Sequence, residues 1–194
     1  MLRTDGHRLR ALTQDSDATA VLRSLTRTRK QLVEARVGLV NQLQAELERV
    51  FPGAIGLFAR LDSDVAIAFL RRYPITVAAS RLTKVRLAAF LRRISYSGRK
   101  PVEELFARVH DAPPAGISPE QAEGRAMAVL ALLRAIERVH REERELQAEI
   151  IERLEAHADA HISTSLPKAG HGVRAATLLA EIGDDRAATP TKNP

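Results

Sequence analysis

Residues 118–161 read SPEQAEGRAMAVLALLRAIERVHREERELQAEIIERLEAHADAH, and the architecture turns on this stretch. Ser118-Pro119-Glu120-Gln121 is a capping box: Ser118 is the cap, Pro119 sits in the first turn and Gln121 follows Ser118 by three residues. No second Pro interrupts, and Gly124 is the only glycine. Val129, Ile136, Ile150 and His157 share one heptad position, with Glu143 filling the gap. Leu132, Val139 and Leu146 fall three residues later, on the partnering position. The pattern predicts one helix over about 119–161, roughly 65 Å long at about 1.5 Å per residue.

A second long helix is predicted upstream, over about 18–50. Asp15, Ser16 and Asp17 offer N-cap oxygens, and only Gly38 interrupts before Phe51-Pro52-Gly53 stops the run. Leu25, Leu32 and Leu39 repeat at seven residues, as do Val33, Val40 and Leu47. Leu22, Leu43 and Val50 share a third line, broken by Arg29 and Arg36. Two long heptad helices flanking a compact insert predict an all-α chain built on an antiparallel coiled-coil hairpin.

Residues 51–112 are predicted to form a small helical insert at the hairpin's tip. Ser63 can cap 64–72, which ends at Tyr73-Pro74. Thr83 can cap 84–93, and Pro101 precedes a helix with Glu103 and Glu104 in its first turn. Leu70, Leu87, Leu91, Leu105 and Val109 are the expected core of the insert.

Composition narrows the function. The 194 residues include no Cys, 25 Arg but only 5 Lys, and a formal charge of +6. A disulfide scaffold, a zinc-thiolate site and a catalytic cysteine are excluded for want of the side chain. No apolar run approaches the ~20 residues of a membrane span and no signal peptide opens the chain, so a cytoplasmic protein without membrane partners is expected. The charge is uneven: +3 over residues 1–50, +7 over 51–110 and −4 over 111–194. A basic block rich in arginine is the footprint of a polyanion partner. Arg71, Arg72, Arg92, Arg93, Arg99 and Lys100 are its candidate phosphate contacts.

A second candidate contact lies near the end. Leu166-Pro167-Lys168-Ala169-Gly170-His171-Gly172 leads into the apolar run Val173–Gly183, a Pro-x-x-Gly-x-Gly turn of helix-hairpin-helix type. Gly170 and Gly172 would let the backbone approach a phosphate, with Lys168 and Arg174 beside it. Lys168 stands where such turns usually carry Gly. Residues 187–194 have no pattern and are expected to be a disordered tail.

Several segments together resemble a known family. Leu2–Arg10 (LRTDGHRLR), Leu25–Lys30 (LTRTRK), Phe69–Pro74 (FLRRYP), Tyr96–Lys100 (YSGRK) and Leu178–Asp184 (LLAEIGD) follow in the order found in DEDD-type insertion-sequence transposases, the group directed by a structured guide RNA. The resemblance spans nearly the whole chain, to about Arg186. It implies a RuvC-like N-terminal domain with four metal-binding acids, a coiled-coil domain and a C-terminal domain with a nucleophilic serine. In those terms residues 1–17 are a remnant following the RuvC-like domain. Residues 18–161 are the coiled-coil domain with its basic insert, and 162–186 are a truncated start of the serine domain. The acids and the serine have no counterpart here, so no catalytic residue carries over. Magnesium or another divalent ion is expected of full-length relatives and no cofactor of this segment.

Rival sites are weaker on their own terms. Asp5 is one carboxylate and cannot assemble a two-metal site. Asp15-x-Asp17 and Asp62-x-Asp64 flank helix starts, where capping is the simpler role. His157 and His161 are spaced i, i+4 but supply two ligands without a third. Ser163 and Ser165 are read as loop residues without a base, and Tyr73 as a helix stop rather than, with Tyr96, a recombinase nucleophile.

The functional expectation is a transposase segment that binds DNA or guide RNA, assembles protomers through its coiled coil, and lacks catalysis alone. The alternative is a helical dimerisation module whose Arg and Glu residues merely pair with each other.

Overall fold

The computed structural model describes residues 15–113, 116, 118–167, 170 and 172–183. The Leu2–Arg10 segment, Asp5, Lys168 and the 187–194 tail lie outside the described residues. The described residues are all-α. They form α1 (Asp17–Val50), a 3-10 turn (Pro52–Ala54), α2 (Asp64–Arg72), α3 (Thr76–Ala79), α4 (Lys84–Arg93), α5 (Val102–His110), α6 (Pro119–Glu155), α7 (Ala160–Ser165) and α8 (Val173–Ile182). The chain divides into two compact units, 33–141 and 1–32 with 142–194.

In the 33–141 unit, local signals set the helix starts. Ser63 Oγ accepts from the Ala66 N–H and Thr83 Oγ1 from the Arg86 N–H. At the start of α6, Ser118 Oγ accepts from Gln121 N–H at 3.3 Å while Gln121 Oε1 accepts from Ser118 N–H at 3.3 Å, so both halves of the capping box form. Helix α3, four residues long, has no capping side chain and was not expected from the sequence.

The core of this unit is aromatic at its centre. Phe69 lies 6.2 Å from Phe51, 5.7 Å from Phe58, 5.2 Å from Tyr73 and 5.9 Å from Phe90, ring centre to ring centre. The expected core residues Leu70, Leu87, Leu91, Leu105 and Val109 are all buried around it. From the long helices come Leu43, Leu47 and Val50 on one side and Val129, Leu133 and Ile136 on the other. Arg125 bonds Glu46 at 2.8 Å, and Arg36 and His140 both reach Asp62. Ascending α1 therefore descends α6, so the two run in opposite directions here.

The unit of 1–32 with 142–194 packs Leu22 against Ile150 and Leu154 of α6 and Ala175, Ala176, Leu179 and Ala180 of α8. The small residues of α8 let its backbone come close to the neighbouring helices. Thr19 meets His157 at 2.9 Å and Arg29 donates to Gln147 at 3.2 Å. Here too the two long helices are antiparallel.

Three sequence expectations change in detail. On α6 the position partnering Val129, Ile136 and Ile150 holds Leu133 and Leu154, while Leu132, Val139 and Leu146 are only half-buried. Adjacent leucines at 132 and 133 make the periodicity ambiguous, and the neighbouring elements decide it. On α1 the buried line is Leu22, Leu43 and Val50 with Thr19, Thr26 and Leu47 beside it, whereas Leu25, Leu32 and Leu39 are half-buried. The arginines that interrupt that line find partners instead of breaking it.

The third change is at the end of α6, which stops at Glu155 and not near His161. His157 Nδ1 accepts the Asp159 N–H at 3.1 Å, and the Ala160 N–H returns to the His157 carbonyl at 3.1 Å. A side chain thus accepts a backbone hydrogen bond where the chain turns, without Pro or Gly. Ser163 and Ser165 consequently lie in α7 rather than a loop, and Ser163 is buried.

Candidate nucleic-acid interface

Helices α2 and α4 each end in Arg-Arg, and cations in a last turn favourably face the negative end of the helix dipole. That role alone would explain the sequence. The structure adds a spatial relationship, because Phe69 and Phe90 touch edge to face at 5.9 Å. Each phenylalanine stands three residues before the second arginine of its pair, Arg72 or Arg93. The aromatic core therefore draws the two basic helix ends towards each other.

The six expected contacts in this unit then separate by what they already hold. Arg71 forms a hydrogen-bonded ion pair with Glu137 of α6. Lys100 donates to the Gly56 carbonyl at 2.7 Å and stands 3.8 Å from Glu104, so it ties down the loop after the 3-10 turn. The Arg72 guanidinium lies 5.6 Å from the Tyr73 ring centre and is otherwise exposed. Arg92, Arg93 and Arg99 are exposed and hold no acid among the described residues. The free positive charge of this face thus comes from Arg72, Arg92, Arg93 and Arg99 more than from Arg71 and Lys100.

In the other unit, α7, the turn and α8 form a closely packed helix pair. Gly170 has φ +60°, the left-handed region that favours glycine, and Gly172 is extended at φ −166°. A Cβ at either would meet nothing within 4 Å, so space is open above both. Arg174 is exposed on the first turn of α8. The opposite end of α8 is held by α1: Arg23 Nε donates to the Ala180 carbonyl at 2.6 Å, and Arg27 forms a two-pronged pair with Glu181 at 3.1 Å. That pairing holds the Glu181 carboxyl below its ordinary range and lifts Arg27.

The rival acids and histidines are otherwise engaged. Ser16, not Asp15 or Asp17, caps α1 through the Thr19 N–H, while Asp15 pairs with Arg23 at 2.6 Å. His157 uses one ring nitrogen on Thr19 and the other on the Asp159 N–H, while His161 Nδ1 stands 3.3 Å from the Ala158 carbonyl. Since Nδ1 of His157 accepts this hydrogen bond, Nε2 is the donor to Thr19. Tyr73 closes α2 with its N–H on the Phe69 carbonyl.

Asp62 is the site that sequence reasoning missed, having assigned it to capping. Its side chain is 5% exposed. Arg60 grips both oxygens, at 2.8 and 2.7 Å, Arg36 donates to Oδ2, and His140 Nε2 is 3.5 Å from the same oxygen. The Arg60 hydrogen bonds, with the charges of Arg60 and Arg36, hold the carboxyl far below the usual range against the opposing effect of burial. A carboxylate so saturated is an organiser of the unit and not an acid or base. The signal that would have found it is Arg36 itself, a cation on an otherwise apolar line.

Comparison with known proteins bears on the whole arrangement. A transposase family model, of the DEDD IS110 type, matches residues 1–52. The "Mini-circle putative transposase for IS117" of Streptomyces coelicolor is 29% identical over 191 residues, covering 96% of this chain and 46% of that protein. The "Insertion element IS110 uncharacterized 43.6 kDa protein" of the same organism is 29% identical over 195 residues, covering 94% of this chain and 44% of that protein. The chain thus spans a little under half the length of these relatives. No solved structure matches it. With a matching family segment that runs through α1 and similarity along nearly all the rest, the chain is similar to the IS110-type DEDD transposases.

Proposed function

We propose that this chain is a nucleic-acid-handling segment of an insertion-sequence transposase, binding DNA or a structured guide RNA through phosphate contacts and joining protomers through its long helices. The observation that carries the reading is the exposed set Arg72, Arg92, Arg93 and Arg99, cations without acidic partners among the described residues, while Arg71, Arg60 and Arg125 each hold one. A surface whose arginines served only internal pairing would not leave this group over. Phosphate contact of this kind fixes position without reading sequence. Arg174 and the open glycine turn before α8 supply a second contact in the same reading.

The test is binding of the purified chain to a labelled DNA duplex and to a folded RNA, titrated with salt. The expected result is a log–log slope of several charges, which falls when Arg72, Arg92, Arg93 and Arg99 are changed to Ala. Absence of binding at low salt, in a sample that is helical and folded, would overturn the reading and leave a helical assembly module.

A further inference from the structure

At the basic end of α4, that helix and the chain leading into α5 line an open cleft of about 600 Å³. That lies within the roughly 300–1,000 Å³ of clefts that take small ligands. Its lining includes the apolar Val85, Ala88, Leu91 and Val102, the Tyr96 ring, and the cations Arg92 and Lys100. Val85 is 77% exposed, an apolar side chain that no neighbour in the unit covers.

The cleft is shaped by backbone that costs something to hold. Ser95 has φ +52°, unusual for a residue with a side chain. The Tyr96 ring lies directly over Gly98: a Cβ there would stand 2.0 Å from the phenol oxygen. Behind, the ring meets Phe58 edge to face at 5.6 Å, which ties it to the core. The Lys100 bond to Gly56 fastens the far end of the loop. An aromatic side chain, apolar side chains and the exposed Arg92 are thus presented together on a frame that Lys100 fastens.

From this geometry we infer that the cleft receives one unpaired nucleotide of a bound polynucleotide, its base against Val85, Ala88 and Tyr96 and a flanking phosphate at Arg92. The inference rests on the phosphate-contact reading above and deepens it. A fully paired helix presents only phosphate and sugar to such a rim, and its bases cannot reach an apolar wall. An extruded base can, because every base has an apolar, stackable face. The Arg92 charge matches the phosphate that must accompany it, which a purely apolar partner would not use.

The test compares four labelled ligands: a DNA duplex and an RNA duplex, each either fully paired or carrying a single bulged nucleotide. The chain is expected to bind the bulged form of at least one on the order of tenfold more tightly. The arm with the larger ratio identifies the source of the nucleotide. Ala88→Leu fills the cleft and Val85→Asp makes its exposed wall repulsive, and neither removes a cation or a buried core residue. Each is expected to bring the ratio to about one, and Ala88→Leu to leave paired-duplex affinity and its salt slope unchanged. A wild-type ratio of one with normal paired binding overturns the cleft and leaves phosphate contact standing. So does a preference that survives in both variants. Failure of every ligand to bind overturns both readings together.

Discussion

Arg36 and Asp62, 26 residues apart in sequence, are joined by a hydrogen-bonded ion pair that fastens the loop before α2 to the long helix α1. Asp62 is nearly buried and takes two further bonds from Arg60. Removing one partner of a buried pair leaves the others unsatisfied, which usually costs about 3–5 kcal/mol.

Asp62→Asn is accordingly expected to destabilise the chain by about 3 kcal/mol in urea unfolding. The pH dependence has a definite sign. A carboxyl whose folded pKa is depressed contributes stability that is fully present above its unfolded value, about 3.9, and is lost as pH falls through the folded pKa. Wild type should therefore lose stability progressively below about pH 4, and the Asn variant should lose less over the same range. Parallel acid profiles for the two proteins would sink this account.

Arg29 gives the opposite expectation. It lies on the same face of α1 as the buried Leu22, its Nε is buried without an acceptor among the described residues, and only its Nη2 reaches the exposed Gln147. Leucine here would keep the apolar line and remove an unsatisfied polar atom. Arg29→Leu is expected to be neutral or stabilising by on the order of 1 kcal/mol, where most buried substitutions destabilise. A clear fall in the urea midpoint would show that the guanidinium contributes more than its one visible bond.

Arg71 and Arg72 are neighbours with different commitments, one held by Glu137 and the other lying over Tyr73. In salt-titrated binding to duplex DNA, Arg72→Ala should lower the slope by about one charge. Arg71→Ala should lower it less, because part of that charge is already neutralised. Equal losses, read by fluorescence anisotropy across a salt series, would mean that Glu137 releases Arg71 on binding.

Much of this molecule is visible without coordinates because it rests on local chemistry. Ser63, Thr83 and the Ser118–Gln121 box mark helix starts through bonds spanning three residues, and those bonds form as the residue types imply. Tyr73-Pro74 ends α2 for an equally local reason, since proline cannot continue the hydrogen-bond ladder. The break after Glu155 was hidden, because it comes from one histidine ring taking the Asp159 N–H rather than from a residue type that breaks helices.

For the candidate interface, the charge pattern indicated the region but not its membership. Six cations looked equivalent in sequence, yet Arg71 and Lys100 are held by Glu137 and Gly56, residues distant along the chain. In sequence Tyr96 enters only as a rival recombinase nucleophile and as part of Tyr96–Lys100, whereas its contacts with Phe58 and Gly98 place it among the residues lining a cleft.

By itself the sequence determined the helical class, the capped helix starts at Ser63, Thr83 and Ser118, the basic middle and the transposase resemblance, all of which depend on residue type, spacing and order within short stretches. The tertiary structure alone decided which apolar line of α1 is buried, which arginines remain free, and that Asp62 is an organiser. Those outcomes depend on which remote side chains meet. Burial and ion pairing are set by distances of a few ångströms between elements, and periodicity along one element does not contain them.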